Sequence, residues 1–276
     1  MDLLLTSGLS LLLAYRVKCR YEREQLEQCR CITFDLDDTI WKCQPVIERA
    51  VDAFYTFLQQ NFPAIIKLYP TKKEWRTMSA QIQQENPDKK HDLTAVRKMC
   101  LMRAATEAQL DPSVVVDCCH RAFLVERNNV MDHLLPGALH VLQALKSHGI
   151  QLGALSNGNA VVQEIPILCD LFDFAVNPET AGAAKPSLKP FFQGLSLSCA
   201  ISPSQMIHVG DSLRSDVVPA KQFGCRAIWV KTGSVWSGTS ATMQTAETTK
   251  DNVKADVELE SLLELPEILR QWGVLK

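Results

Sequence analysis

The apolar positions of this chain change their spacing along its length, and the change divides it. Between Pro45 and Asp132 they recur at helical intervals. Val46, Ala50, Phe54 and Phe57 share one face, and Trp75 to Ile82, Leu93 to Ala108 and Ser113 to Asn128 carry the same period. Asn86-Pro87-Asp88-Lys89-Lys90 and Asp111-Pro112-Ser113 punctuate this block, the second as a helix start. From Leu135 onward, helical stretches alternate with short apolar runs. The pattern predicts a helix over 137–148, strands over 151–155 and near 173–176, a helix over 189–199, a strand over 205–209, a helix over 214–222 and a strand over 226–230. Ala255 to Leu269 reads as an edge strand and its helix, after a Ser- and Thr-rich stretch from Thr232 to Lys250 that reads as a long surface loop.

Such alternation predicts an α/β fold, with helices wound around a sheet. One strand, Cys31 to Phe34, precedes the helical block. An all-helical insert between the first strand and the rest of a sheet is best explained as a cap standing over the crevice at the strand ends. The expected organisation is an N-terminal helical or targeting segment over 1–28, a core domain from 29–44 and 135–276, and a helical cap domain over 45–134.

Composition narrows the class of partner. The 276 residues are 46% hydrophobic and 22% charged, enough for a real core, and the formal net charge of -2 is spread without a basic surface or charged tail. A small-molecule partner is expected, and no nucleic acid. Ten cysteines show no CxxC or Cys/His ligand spacing and read as buried free thiols of a reducing compartment. Leu3 to Leu13 is apolar but too short for a membrane-crossing helix, and Asp2 precedes it where a secretory signal carries positive charge. No stable membrane span is expected, and a cytoplasmic location, with organelle targeting through residues 1–28 as the alternative. Nothing in the pattern fixes an oligomeric state.

Four stretches carry chemistry. In Cys31-Ile32-Thr33-Phe34-Asp35-Leu36-Asp37-Asp38-Thr39, a buried strand breaks into three acidic residues within four positions. Ligands of parallel sheets bind beyond the carboxyl ends of the strands, so Asp35 and Asp37 would project there, and clustered carboxylates ask for a cation, most simply Mg²⁺. Ser156-Asn157-Gly158 follows a second strand, where the Ser156 hydroxyl and the amides of Asn157 and Gly158 could hold a phosphate oxygen. Lys185 stands before Pro186 and Pro190, which stiffen the backbone that aims its ammonium. Gly210-Asp211-Ser212 ends a fourth strand; Asp211 could complete a metal site, and Asp216 could bind a metal-held water or brace Lys185.

Together these stretches resemble the haloacid dehalogenase-like superfamily, whose motifs run Asp-x-Asp-x-Thr, Ser or Thr after a strand, Lys, and Gly-Asp with a following Asp. Here they read Asp35-Leu-Asp37-Asp-Thr39, Ser156, Lys185-Pro186, and Gly210-Asp211 with Asp216. The resemblance implies a Rossmann-like core with a helical cap and a Mg²⁺-dependent hydrolase of phosphoric monoesters. Asp35 would be the nucleophile that forms an aspartyl-phosphate, and Asp37 the acid for the leaving group and then the base for water. Mg²⁺ would be held by the Asp35 carboxylate, the Asp37 main-chain oxygen and Asp211, while Thr39, Ser156, Asn157 and Lys185 would bind the phosphoryl group of a small phosphorylated metabolite. True dehalogenases resemble this chain at the nucleophile but lack an acid two positions later.

Three further features resemble one branch, the phosphatases of flavin mononucleotide and of 5-amino-6-(5-phospho-D-ribitylamino)uracil. They are Phe34 to Trp41 running into Pro45-Val46-Ile47, His91-Asp92-Leu93-Thr94 opening a cap helix, and Ser156 to Ala160. Phosphatases of pyrimidine nucleotides or sugar phosphates would keep the same four motifs, and a non-catalytic scaffold of this fold would have no need of them together. His91, Arg97 and Arg103 could face substrate from the cap or serve as capping and paired residues. Trp41 is expected to fill the hinge between core and cap.

Overall fold

A computed structural model of the chain describes residues 29–232 and 253–275. The N-terminal segment 1–28 and all but Thr232 of the stretch read as a surface loop lie outside the described residues. Six strands form one parallel sheet: β1 (Cys31–Phe34), β2 (Gln151–Leu155), β3 (Phe174–Val176), β4 (Met206–Gly210), β5 (Arg226–Val230) and β6 (Val257–Leu259). Their order is β3-β2-β1-β4-β5-β6, the doubly wound arrangement in which the winding reverses beside β1. Every residue of β1 and β4 is buried, as parallel strands covered on both faces must be.

The period of two along β1 sorts its side chains between two cores. Ile32 and Phe34 join Ile207 and Val209 beneath α6 (Ala138–Ser147) and α11 (Leu265–Gln271), which contribute Val141, Leu142, Leu145, Leu265 and Leu269. Cys31 turns the other way, with Leu155 and Met206, toward α9 (Lys189–Leu197) and α10 (Val218–Phe223), whose Phe191, Ala220 and Phe223 close that layer. Two short helices, α7 (Leu168–Leu171) and α8 (Pro178–Ala181), flank β3.

Five helices stand between β1 and β2: α1 (Cys43–Asn61), α2 (Pro63–Leu68), α3 (Lys72–Glu85), α4 (Leu93–Glu107) and α5 (Pro112–Arg127). They enclose a core of their own, including Phe54, Leu58, Ile65, Ile82, Leu101 and Phe123. Their starts follow local chemistry. Thr71 and Glu74 form a reciprocal capping box on α3, Asp92 accepts from the Ala95 amide at α4, and Asp111 with Pro112 opens α5. The two linkers to the sheet touch, since the Lys42 amide donates to the His133 carbonyl and the Leu135 amide to the Ile40 carbonyl, both at 2.9 Å.

Two expectations change in detail. The single helix predicted over 214–222 is a π-helical turn, Leu213–Val217, followed by α10. Pro219 has no amide to donate into the preceding turn, and the Asp216 carboxylate bonds back to the Ser212 amide at 3.0 Å, which widens that turn. Of the nine cysteines described, all are free; Cys29, Cys31, Cys43, Cys100, Cys119 and Cys225 are buried, whereas Cys118, Cys169 and Cys199 are exposed. Among the described residues no helix is long and apolar enough to cross a membrane.

Candidate active site

Strand register assembles the site. Phe34 lies level with Ala154 on one side and Val209 on the other, so Asp35, Ser156 and Asp211 leave the sheet at one edge. Asp38 takes a left-handed backbone conformation (φ 61°), and its carboxylate accepts from the Cys43 amide at 3.0 Å, which folds the chain over into α1. The third acidic residue of the first motif thus shapes the turn. The other two face different neighbours.

Asp35 is buried, and its Oδ1 accepts from Lys185 Nζ at 2.8 Å. The same ammonium donates to Asp216 Oδ1 at 2.5 Å, and Asp216 also meets His208 Nε2 at 3.2 Å and the Ser212 amide at 3.0 Å. Asp216 therefore braces Lys185, one of the two roles its position suggested. One ammonium shared by two carboxylates cannot satisfy both equally. Burial works against ionising Asp216, yet Lys185 and His208 outweigh it and hold that carboxyl down to about 2. For Asp35 burial prevails over Lys185 and lifts it to about 7. Asp211 is raised well above the usual carboxylate range by burial and then by the nearby Asp35. Lys185 loses to burial but gains more from Asp216 and Asp35, so its ammonium is held above its ordinary range.

Oxygens of Asp35, Asp211 and Asp216 lie within 4.8 Å of one another. With Asp216 occupied by three donors, Asp35 and Asp211 remain as hard oxygen ligands in a place short of positive charge. The donor set fits a divalent cation such as Mg²⁺. The Thr39 hydroxyl sits between the two, 3.4 Å from Asp35 Oδ2 and 3.5 Å from Asp211 Oδ1. Trp229 Nε1 donates to the Asp211 carbonyl at 2.7 Å and fixes the backbone that carries that carboxylate.

The second strand end is organised differently from expectation. The Gly158 amide donates to the Ser156 hydroxyl at 2.9 Å, so this amide is already paired within the turn. The Asn157 side chain brackets the main chain of Lys185, accepting from its amide at 2.8 Å and donating to its carbonyl at 2.9 Å. Its side chain thereby positions the lysine, and only its backbone stands free beside Ser156.

Asp37 turns away from this cluster. Its Oδ1 and Oδ2 accept from Nη2 of Arg127 at 2.8 and 2.6 Å, and Oδ1 also accepts from Trp41 Nε1 at 2.8 Å. Arg127 is fully buried at the C-terminal end of α5, and its Nε reaches Asn159 Oδ1 at 3.4 Å. A β-carbon on Gly158 would lie 2.3 Å from Asp37 Oδ2 and 2.8 Å from Arg127 Nη2, so only glycine fits beside the pair. Trp41 is fully buried, bridges to Leu134 where the two linkers to the sheet meet, and adds its bond to Asp37.

Arg127 was not singled out by sequence, although a signal existed. The buried stripe of α5 is Val115, Cys119, Phe123 and Arg127, so a guanidinium occupies the fourth position of an apolar face. Of the other insert residues, Arg97 stacks 3.4 Å over the Phe123 ring, and burial followed by the Arg127 charge lowers it to about 9. Arg103 pairs with Glu85 at the surface. Among the described residues, Arg97 Nη1, Arg127 Nη1 and Asn159 Nδ2 are buried donors with no acceptor.

Comparisons with known proteins point to one group. The description "haloacid dehalogenase-like hydrolase" matches residues 29–224. The 5-amino-6-(5-phospho-D-ribitylamino)uracil phosphatase YigB of Escherichia coli is 27% identical over 208 residues, 75% of this chain and 85% of that protein. A glyceraldehyde 3-phosphate phosphatase of Pyrococcus furiosus is 34% identical over 103 residues, 36% of this chain and 42% of that protein. Among solved structures, a 2-haloacid dehalogenase from Pseudomonas syringae pv. Tomato superposes with a TM-score of 0.75 at 30% identity, covering 88% of this chain and 99% of that one.

Proposed function

Because the chain belongs to the haloacid dehalogenase-like hydrolase family, we propose that it is a phosphatase of a small phosphorylated metabolite, working through an aspartyl-phosphate on Asp35. The observation that carries this is the contact of Lys185 with both Asp35 and Asp216, beside Asp211 and two residues before an acid, Asp37. A scaffold would gain nothing from keeping three carboxylates and an ammonium buried together, since their desolvation is costly.

Asp35 attacks phosphorus in line with the leaving oxygen, and Asp37 gives that oxygen a proton as the P–O bond breaks. Asp37 then takes a proton from the water that attacks the phosphorylated Asp35. Lys185 donates to the oxygens on which charge accumulates, with Ser156 and the Asn157 backbone beside it and the Thr39 hydroxyl next to the nucleophile. The Asp35 carboxylate, the Asp37 main-chain oxygen and Asp211 would hold Mg²⁺, which supplies positive charge between carboxylate and phosphate. Asp37 favours phosphate esters over carbon–halogen bonds, because an alkoxide needs a proton to depart and a halide does not.

The helices between β1 and β2 act as the cap, with Trp41 and Leu134 at the hinge. Flavin mononucleotide or the ribitylaminouracil phosphate is the substrate we favour, in keeping with the YigB relative. The unpaired donors on Arg97, Arg127 and Asn159 agree with a substrate that carries carbonyl acceptors beyond its phosphate. A triose phosphate is the second candidate, supported by the Pyrococcus relative. A cytoplasmic location belongs to the same proposal, since six buried free thiols suit a reducing compartment.

Phosphate release from flavin mononucleotide, the ribitylaminouracil phosphate, pyrimidine nucleotides and triose phosphates, with and without Mg²⁺, tests the proposal. Metal-dependent turnover, strongest on the flavin or uracil compounds, is expected. A preference for another ester would discard that substrate class, and no turnover of any ester by folded, metal-supplied protein would overturn the activity.

A further inference from the structure

The carboxylate of Asp37 is fixed from three sides, and its strongest partner lies outside the sheet. Arg127 is 90 residues away in sequence, on the last helix of the insert, and its Nη2 reaches both oxygens of Asp37. Trp41 donates from the hinge at 2.8 Å, and Gly158, where a β-carbon would collide with the carboxylate, lets the pair pack against the second strand end. Arg127 is itself held, since Nε bonds to Asn159 and the guanidinium lies 5.9 Å from the Trp41 ring centroid. Its neighbour Asn128 fastens the same end of α5 to the sheet side, accepting from the Val161 amide at 2.9 Å and donating to Glu164 at 2.8 Å. A buried guanidinium so anchored is rigid, and a charge-assisted pair this short defines the direction of its carboxylate.

We propose that Arg127 is a positioning residue for the second half of the reaction: from the cap, it holds Asp37 as the proton acceptor for the water that hydrolyses the aspartyl-phosphate. This rests on the phosphatase function proposed above. In that step the water oxygen bonds to phosphorus as the bond from Asp35 to phosphorus breaks, the water proton passes to Asp37, and inorganic phosphate leaves. Because the guanidinium comes from α5, the acceptor is fully held only while the insert sits on the sheet. Hydrolysis of the intermediate is thereby tied to the closed cap.

The test is rapid-mixing hydrolysis of p-nitrophenyl phosphate with Mg²⁺ by wild type, Arg127→Lys and Trp41→Phe. p-Nitrophenolate departs without a proton, so the first step is insulated from Asp37, and kcat/KM reports that step alone. Arg127→Lys keeps the charge but loses the planar group whose Nε is held by Asn159 while its Nη2 grips Asp37. It is expected to lower kcat about tenfold, to leave kcat/KM within about twofold, and to show a stoichiometric burst of p-nitrophenolate as phosphoenzyme accumulates. Trp41→Phe, which retains the ring, is expected to show the same split more weakly and serves if Arg127→Lys does not fold. A parallel fall of kcat and kcat/KM without a burst would reduce Arg127 to a structural role and overturn the inference, as would unchanged kinetics in both variants. Wild type that cleaves no phosphate ester would instead remove the phosphatase function, and this inference with it.

Discussion

Asp35 and Asp37 stand two residues apart, yet they belong to different parts of the molecule. Among the described residues, the side-chain partners of Asp35 come from the sheet edge: Lys185, Thr39 and, through the shared lysine, Asp216 with His208. Asp37 is held by the hinge and the insert, through Trp41 and Arg127. In the proposed mechanism, phosphoryl transfer would rest on the sheet edge and proton handling on the insert. An enzyme divided in this way can change its cap, and so its substrate, without disturbing the nucleophile.

The core side is where the largest effects are expected. Asp35→Asn should lower kcat at least about a thousandfold while leaving the fold intact by circular dichroism, because the amide is nearly the same shape but no longer a nucleophile. Residual activity within tenfold of wild type would place the nucleophile elsewhere. Lys185→Met strands two buried carboxylates. It should cost about 3 to 5 kcal/mol of stability together with most of the activity, read by denaturant unfolding alongside turnover. Loss of activity without loss of stability would mean that Asp35 and Asp216 relax into water when the ammonium goes.

On the insert side a smaller effect is expected. Gly158→Ala drives a methyl group against Asp37 Oδ2 and Arg127 Nη2. It should cost about 1 to 3 kcal/mol of stability and more activity than that loss explains, visible as a kcat deficit well below the melting transition. If turnover is unchanged, Asp37 does not need its observed position. The smallest effect is one of pH on stability. His120 on α5 is half-buried; burial first, then Arg97 and Lys98, lower it from 6.5 to about 4. The unfolded chain therefore binds the extra proton between those values, so stability is full above 6.5 and declines as the pH falls toward 4. His120→Gln should flatten that slope in a melting-temperature profile, and an unaltered slope would assign it to other groups.

The contrast also explains what could be read in the sequence. Strands β2 and β5 match their expected ranges residue for residue, because each is a short apolar run between polar turns, and β4 is displaced by only one residue. The core side of the site was legible for the same reason, since residues that follow buried parallel strands converge at one edge whatever the loops do. Legibility ended where contacts depend on apposition. Arg127 meets Asp37 only because α5 returns to the hinge, and no local period encodes that return. The amide of Asn157 was expected beside a phosphate, and its side chain, to which the sequence assigned no role, clamps the backbone of Lys185. An amide that matches a peptide group on both edges gives no local sign of which partner it will find. Pro219 was visible in the sequence, but its effect, the π-helical turn at Leu213–Val217, needed the Asp216 to Ser212 bond as well.

The central claim is a covalent phosphoryl group on Asp35, and the most direct measurement is to trap it. Protein mixed with Mg²⁺ and a reactive phosphate ester, quenched in acid during turnover and digested, should carry one phosphoryl group on the peptide that contains Asp35, and none in Asp35→Asn. Turnover with that peptide unmodified at every quench time, or with the group on another residue, would contradict the account.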